Sequence, residues 1–288
     1  MSDSQWVAVA QMRTTPQVAD NLDAVQRLTA RAAARGAATV LFPEAFAYLG
    51  PDAGKQDILE ALPEPAAAER SPAASADTFS AGPILAACQN IAKAHGMHLI
   101  LGGFHERSAQ AGKSYNTCVH ITADGSIAAR YRKIHLFDVA LADGTVLSES
   151  ARTLPGSDIV VSQLPFGTLG LSVCYDLRFP RLYEKLVDAG AIALTVPSAF
   201  TASTGKDHWH VLLRARAIEC QSYVLAPAQF GHHHGARNSY GHALVVDPWG
   251  CVVAECGDGE GLAFAEIDLE RIARVRRELP SLQHRVLG

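Results

Sequence analysis

Short apolar runs recur along this chain, most of them followed by a longer segment with helical spacing. The runs cover residues 6–12, 38–42, 97–102, 169–173, 191–196 and 223–229. Few polar residues interrupt them, as expected of strands buried on both faces. Between them, residues 17–35, 83–95, 180–189 and 207–220 read as helices. The first carries Val18, Leu22, Val25, Leu28 and Ala32 on one stripe. Gly36 and Gly96 close the first two helices, and Pro180 opens the third. This alternation predicts an α/β fold with sheet layers covered by helices. Asp124-Gly125 marks a hairpin between strands at 115–122 and 127–132. Residues 47–80, rich in Ala, Pro, Gly and Ser, read as a long loop with a short helix, and 139–157 as irregular. The end is more β-rich, with strands at 241–246, 251–254 and 262–267 and a last helix at 269–279. No linker divides the sequence, so residues 1–288 are expected to form one domain.

Composition narrows the function classes. Hydrophobic residues make up 48% and charged residues 19%, enough for a large core. Lys plus Arg number 25 against 29 Asp plus Glu, and no basic run stands out. Nucleic acid and membrane surfaces are poor partners for such a balance, and a small-molecule substrate fits better. No apolar stretch approaches the ~18 residues of a membrane helix. The first six residues have neither a basic nor an apolar leader pattern, and the six cysteines form no CxxC pair. Free thiols and a soluble, cytoplasmic protein are expected.

Three reactive side chains each follow an apolar strand. Glu44 comes after 38–42 through Pro43, Lys133 after 127–132, and Cys174 after 169–173. The Cys174 segment continues as Tyr175-Asp176-Leu177-Arg178-Phe179-Pro180, which reads as a sharp strand-to-helix turn. Such a turn lifts a side chain onto a sheet rim and puts the thiol near helix amides that favour thiolate. Position alone leaves the roles open. A glutamate after proline is ordinarily solvated, a lysine among Arg130, Arg132 and His135 is ordinarily exposed, and a cysteine after a strand is ordinarily core.

The ordered segments Leu41-Phe42-Pro43-Glu44, Gly102-Gly103-Phe104-His105-Glu106-Arg107, Tyr131 to Asp138 and Val173 to Pro180 form one pattern. Pro197 to Thr201, His208-Trp209, Leu213 to Glu219, Ser239 to His242 and Asp247-Pro248-Trp249-Gly250 continue it. Together they resemble the nitrilase superfamily of carbon–nitrogen hydrolases over most of the chain. The resemblance implies an α-β-β-α sandwich that pairs into a four-layer homodimer or larger homo-oligomer. It also implies a Glu-Lys-Cys catalytic triad, falling on Glu44, Lys133 and Cys174, with no metal or organic cofactor required.

In that chemistry Cys174 attacks the carbon, Glu44 shuttles protons, and Lys133 with the Tyr175 N–H stabilises the oxyanion. Glu149 matches the second glutamate of relatives and is expected to hydrogen-bond Lys133 and orient the substrate. The stretch from Pro197 to Trp209 is similar to the branch holding deaminated-glutathione amidase and ω-amidase. That branch implies hydrolysis of a terminal amide on an α-keto acid skeleton with release of ammonia. Ser198, Ala199 and Thr201 are candidate pocket residues, and Arg178 is a candidate to bind a substrate carboxylate or brace Glu149. His210 stands where the branch usually has Glu, which leaves its effect on the pocket open.

Rival readings are a nitrilase or N-carbamoyl amide hydrolase on the same triad, and a non-catalytic binding subunit. His232-His233-His234, between Gly231 and Gly235, reads as a loop rather than a metal site. His208 and His210 diverge on a helix. Arg214 and Arg216 fit structural ion pairs. Leu182, Leu186 and Val187 fit either a dimer face or the core.

Overall fold

A computed structural model describes residues 6–63, 81–140 and 146–286. In chain order, the first half contains β1 (Trp6–Met12), α1 (Val18–Ala34), β2 (Thr39–Phe42), a single helical turn α2 (Asp52–Lys55) and α3 (Pro83–His95). It continues through β3 (His98–Arg107), β4 (Ser114–Ile121), β5 (Ile127–Arg132), β6 (Asp138–Ala140) and β7 (Val146–Ser148). The second half contains β8 (Val161–Leu164), β9 (Gly167–Gly170), α4 (Pro180–Asp188), β10 (Ala193–Thr195), α5 (Ala202–Cys220), β11 (Tyr223–Ala226) and β12 (Ala228–His234). It closes with β13 (Arg237–Tyr240), β14 (Leu244–Val246), β15 (Val252–Glu255), β16 (Gly261–Glu266) and α6 (Leu269–Glu278).

Two sheets result. One runs β13-β12-β1-β2-β3-β4-β5 with β16 also pairing β1, and the other runs β15-β14-β11-β10-β9-β8. Alternation along β1 explains why its sequence is almost uniformly apolar. Val7 and Val9 enter the core shared with Leu169, Leu194 and Val224 of the second sheet. Ala8, Ala10 and Met12 point the other way, onto Val25 and Leu28 of α1 and Leu85 of α3. Helices α4 and α5 cover the second sheet through Tyr183, Leu186, Trp209 and Leu213. Each fully buried side chain of that size contributes ~1.5–3 kcal/mol. The layers are therefore helix, sheet, sheet, helix.

Four sequence expectations change. The run 223–229 is two strands, because Pro227 cannot donate to a ladder. The chain leaves the second sheet there and rejoins the first, where Ala228 pairs with Gln11. His232, His233 and His234 lie on β12, not in a loop. Helix α5 begins at Ala202, five residues before expectation, through the turn-like residues Ser203-Thr204-Gly205. Residues 139–157 include the β6–β7 pairing and a 3-10 turn at Glu149–Ala151. Of the expected 47–80 loop, residues 64–80 lie outside the described residues, and α2 falls in the remainder.

Candidate active site

The strand-to-helix turn at Cys174 is held by one buried carboxylate. Strand β9 ends at Gly170, and the Val173 N–H donates to Asp176 Oδ2 at 2.9 Å. Cys174 itself takes φ 48°, a left-handed value that costs a residue with a Cβ roughly 1–2 kcal/mol. Its N–H donates to Pro197 O at 3.0 Å. Asp176 also accepts from the Tyr131 hydroxyl at 2.7 Å, the His135 N–H at 3.0 Å and His135 Nδ1 at 2.7 Å. His135 stacks on Phe179 with 3.7 Å between ring centroids. Strand β5 ends at Arg132 and the chain bends at residues 134 and 135, and the Tyr131 and His135 bonds to Asp176 hold this stretch on both sides of Lys133.

Glu44 reaches the same point from the end of β2. Its Oε1 accepts from Lys133 Nζ at 3.1 Å and Asn116 Nδ2 at 2.8 Å. Its Oε2 accepts from the Ala199 N–H at 3.0 Å, and the Cys174 thiol lies near enough to favour the carboxylate's charged form. The approach depends on a bulge in β3 between Leu101 and Phe104. Gly103, at φ 66°, sits there with no room for a Cβ, which would lie 2.8 Å from Glu44 Cγ and 2.6 Å from Ala45 N. Glu149 accepts from Lys133 Nζ at 2.8 Å, the Phe137 N–H at 2.8 Å and Asn116 Nδ2 at 3.0 Å. Lys133 thus lies between two carboxylates, and Asn116 bridges both.

Charge states follow from this packing. Burial pushes the Glu44 carboxyl up, but the Lys133 charge, the Ala199 N–H and the thiol outweigh it and hold Glu44 below the usual carboxylate range. Burial disfavours the Lys133 cation, yet Glu149 and Glu44 together raise its pKa above the ordinary lysine value. Burial and then the Glu44 charge push the Cys174 thiol well up, against the opposing pull of Lys133. The free site therefore holds a carboxylate, an ammonium and a neutral thiol. The expectation that the turn favours thiolate is corrected, because desolvation and an adjacent anion exceed the cation's effect.

These groups line a cavity of about 170 Å³ that also takes in Tyr48, Lys55, His105, Phe137, Arg152 and Arg237. A narrower arm leaves from Cys174 past Tyr175, Arg178, Phe200 and Thr204.

A family model for carbon-nitrogen hydrolases matches residues 6–277. The chain belongs to that family. This hydrolase acts on C–N bonds, and it is 43% identical over 282 residues to a protein from Synechocystis sp. named deaminated glutathione amidase, covering 97% of each chain. The solved structure of Saccharomyces cerevisiae Nit3, a member of branch 10 of the nitrilase superfamily, superposes with a TM-score of 0.81 at 30% identity, covering 96% of this chain and 94% of that one. The NitFhit protein of Caenorhabditis elegans superposes with a TM-score of 0.85 at 36% identity, and this chain spans 66% of its length.

Other expected residues of the hydrolase divide into two groups. Ala199 and Thr201 line the cavity, and the Thr201 hydroxyl pairs with Thr204 at 2.7 Å. Tyr175 and Arg178 line the narrow arm. Arg178 does not brace Glu149; it donates to His208 Nδ1 at 3.3 Å and lies 5.2 Å over the Phe200 ring. Ser198 is fully buried, and its hydroxyl donates to Val196 O instead of facing the cavity.

His210 lies off the cavity as well. His210 Nε2 and His242 Nδ1 both donate to Glu255 Oε1, at 2.9 and 2.8 Å, and His210 is not among the residues that line the cavity. Those hydrogen bonds account for the one trio of metal-capable side chains that converges among the described residues. On β12, His233 bonds Thr14 O and Ser239 while His232 bonds Gly235 O, so neighbouring rings diverge. Arg214 and Arg216 serve the fold, donating to Gly250 O and Leu177 O.

Sequence reasoning missed Asn116 and gave Asp176 no role. Both carry one legible sign, a polar side chain within a segment otherwise built for burial.

Proposed function

We propose that Cys174, Glu44 and Lys133 hydrolyse the amide of an α-keto acid derivative, with deaminated glutathione the substrate that the relatives' name supports. One observation carries this reading. The Glu44 carboxylate accepts from the Lys133 ammonium, and both line a single cavity with the Cys174 thiol, whose charge state Glu44 influences.

Sulfur attacks the amide carbon as its proton passes to Glu44, so the nucleophile forms only when substrate is present. Lys133 and the Tyr175 N–H stabilise the resulting oxyanion. Glu44 then protonates the leaving nitrogen, the C–N bond breaks, and a thioester remains on Cys174. Water, giving its proton to Glu44, attacks the thioester; the carboxylic product departs and the thiol is restored. Glu149 and Asn116 keep Lys133 and Glu44 in position. Ammonia leaves only from a primary carboxamide. Deaminated glutathione has secondary amides, so there the leaving group is a peptide amine.

The test is incubation of purified protein with deaminated glutathione, α-ketoglutaramate, simple nitriles and N-carbamoyl-β-alanine. We expect keto-acid product from the first two. Turnover of nitriles or carbamoyl compounds alone would contradict the reading.

Assembly and location belong to the same proposal. Leu182 and Leu186 are buried in the core, so they are unavailable to a dimer face. Exposed apolar residues gather instead on α5, at Val211 and Ile218, and at nearby Trp249. We place a homodimer contact there, in a cytoplasmic enzyme.

A further inference from the structure

The two arms that meet at Cys174 are chemically different. Glu44, Lys133 and Glu149 line the wide arm and are absent from the narrow one. On the mechanism above, Glu44 delivers a proton to the leaving nitrogen, so the amine portion of the substrate must lie in the wide arm. The acyl portion then extends past Tyr175 toward Arg178.

Charge in the wide arm is unevenly matched. Four cations, Lys55, Lys133, Arg152 and Arg237, face three carboxylates, Glu44, Asp52 and Glu149. Lys133 holds Glu44 and Glu149, and Arg152 pairs with Asp52 at 3.3 Å. Lys55 and Arg237 make no ion pair among the described residues, although they come from separate elements, α2 and β13, to the same wall. Glu149 and Asp52 are the anions that act on Lys55, and both are already engaged. Arg237 also opposes the Lys55 charge, so the two cations are close enough to repel.

The same wall holds two buried acceptors, His105 Nδ1 and Asn116 Oδ1, with no donor among the described residues. His105 is kept neutral, chiefly by burial and then by Lys55, and its Nε2–H donates to Tyr48 O at 2.9 Å. Both acceptors are enclosed by protein, so the wall's unmatched feature toward the cavity is the cation pair. A peptide-like amine portion brings the terminal carboxylate that would match it.

We infer that Lys55 and Arg237 form a carboxylate-binding pole on the leaving-group side, selecting amides whose amine portion ends in a carboxylate. This rests on the mechanism and substrate class proposed above, and it adds the residues that recognise the departing half.

The test compares kcat/KM for deaminated glutathione with that for its C-terminal carboxamide, which removes only the distal charge. Wild-type protein is expected to favour the acid by at least about tenfold, the worth of one charge-assisted contact. Lys55→Met and Arg237→Gln should each cut that ratio severalfold, mainly through KM of the acid. Lys55→Arg and Arg237→Lys should restore most of it. A wild-type ratio near one, or variants that slow both substrates in proportion, overturns the inference while leaving the amidase reading intact. Failure of wild-type protein to hydrolyse either compound while it turns over α-ketoglutaramate overturns the inference together with deaminated glutathione as substrate.

Discussion

The Lys133 ammonium donates to Glu44 Oε1 across 3.1 Å, although the two residues are 89 positions apart. Lys133 is a buried cation at the end of one strand, and Glu44 a buried anion at the end of another. Removing either leaves an uncompensated charge. Lys133→Met should lower stability by roughly 3–5 kcal/mol and reduce kcat at least about a hundredfold. Urea unfolding together with steady-state kinetics checks both numbers. A variant of native stability and half-normal kcat would contradict the placement of Lys133 at the reacting oxygen.

Asn116 donates to both Glu44 and Glu149, so its effect should reach Lys133 through two carboxylates. Hydrogen bonds to charged groups are worth about 1.5–3 kcal/mol. Asn116→Leu should therefore lower kcat/KM some ten- to hundredfold, mainly through kcat, since Glu44 and Lys133 lose their shared alignment. A raised KM with kcat unchanged would contradict a positioning role for Asn116.

Gly103 faces Glu44 Cγ and the Ala45 N–H with no space for a methyl group. Gly103→Ala forces a shift of the Glu44 segment as well as an unfavourable φ. A loss of about 1–3 kcal/mol in stability is expected, with a disproportionate loss of kcat. A crystal structure of the variant with Glu44 undisplaced would refute the steric argument.

Acid should unfold this protein before it titrates Glu44. Burial holds His120 down to about 3 and His233 down to about 4, whereas unfolded histidine titrates near 6.5. Their folded pKa values lie below the unfolded one, so the unfolded chain binds the extra protons. The stability they confer is complete above pH 6.5 and is lost as pH falls toward 4. With both groups titrating, the slope is about 2.7 kcal/mol per pH unit. Chemical denaturation at pH 7.5, 5.5 and 4.5 measures it. Equal stabilities at the three values would show that these rings are not buried neutral.

Much of this was readable from the chain because it depends on local order. The uniform apolar run at 6–12 told of a strand covered on both faces, and Pro180 marked the helix that follows Cys174. Glu44, Lys133 and Cys174 were visible as reactive types just past strands. Their convergence was not, since it depends on the β3 bulge and on Asp176 pinning Tyr131 and His135 across 45 and 41 positions. The β11–β12 switch was hidden because Pro227 breaks a run whose composition is the same on both sides. Ser198 misled for a related reason. Its neighbour Ala199 faces the cavity, and alternation sends Ser198 into the core.

Intact-mass and rate measurements on Cys174→Ala with deaminated glutathione test the sulfur's role most directly. We expect wild-type protein to show, on rapid acid quench, a transient mass increase equal to the acyl portion, mapped to Cys174. We also expect the variant to show no adduct and at least a ~10⁴-fold lower kcat, with its fold unchanged. A Cys174→Ala protein that cleaves this amide at near wild-type speed would contradict the thioester route and the assignment of the site.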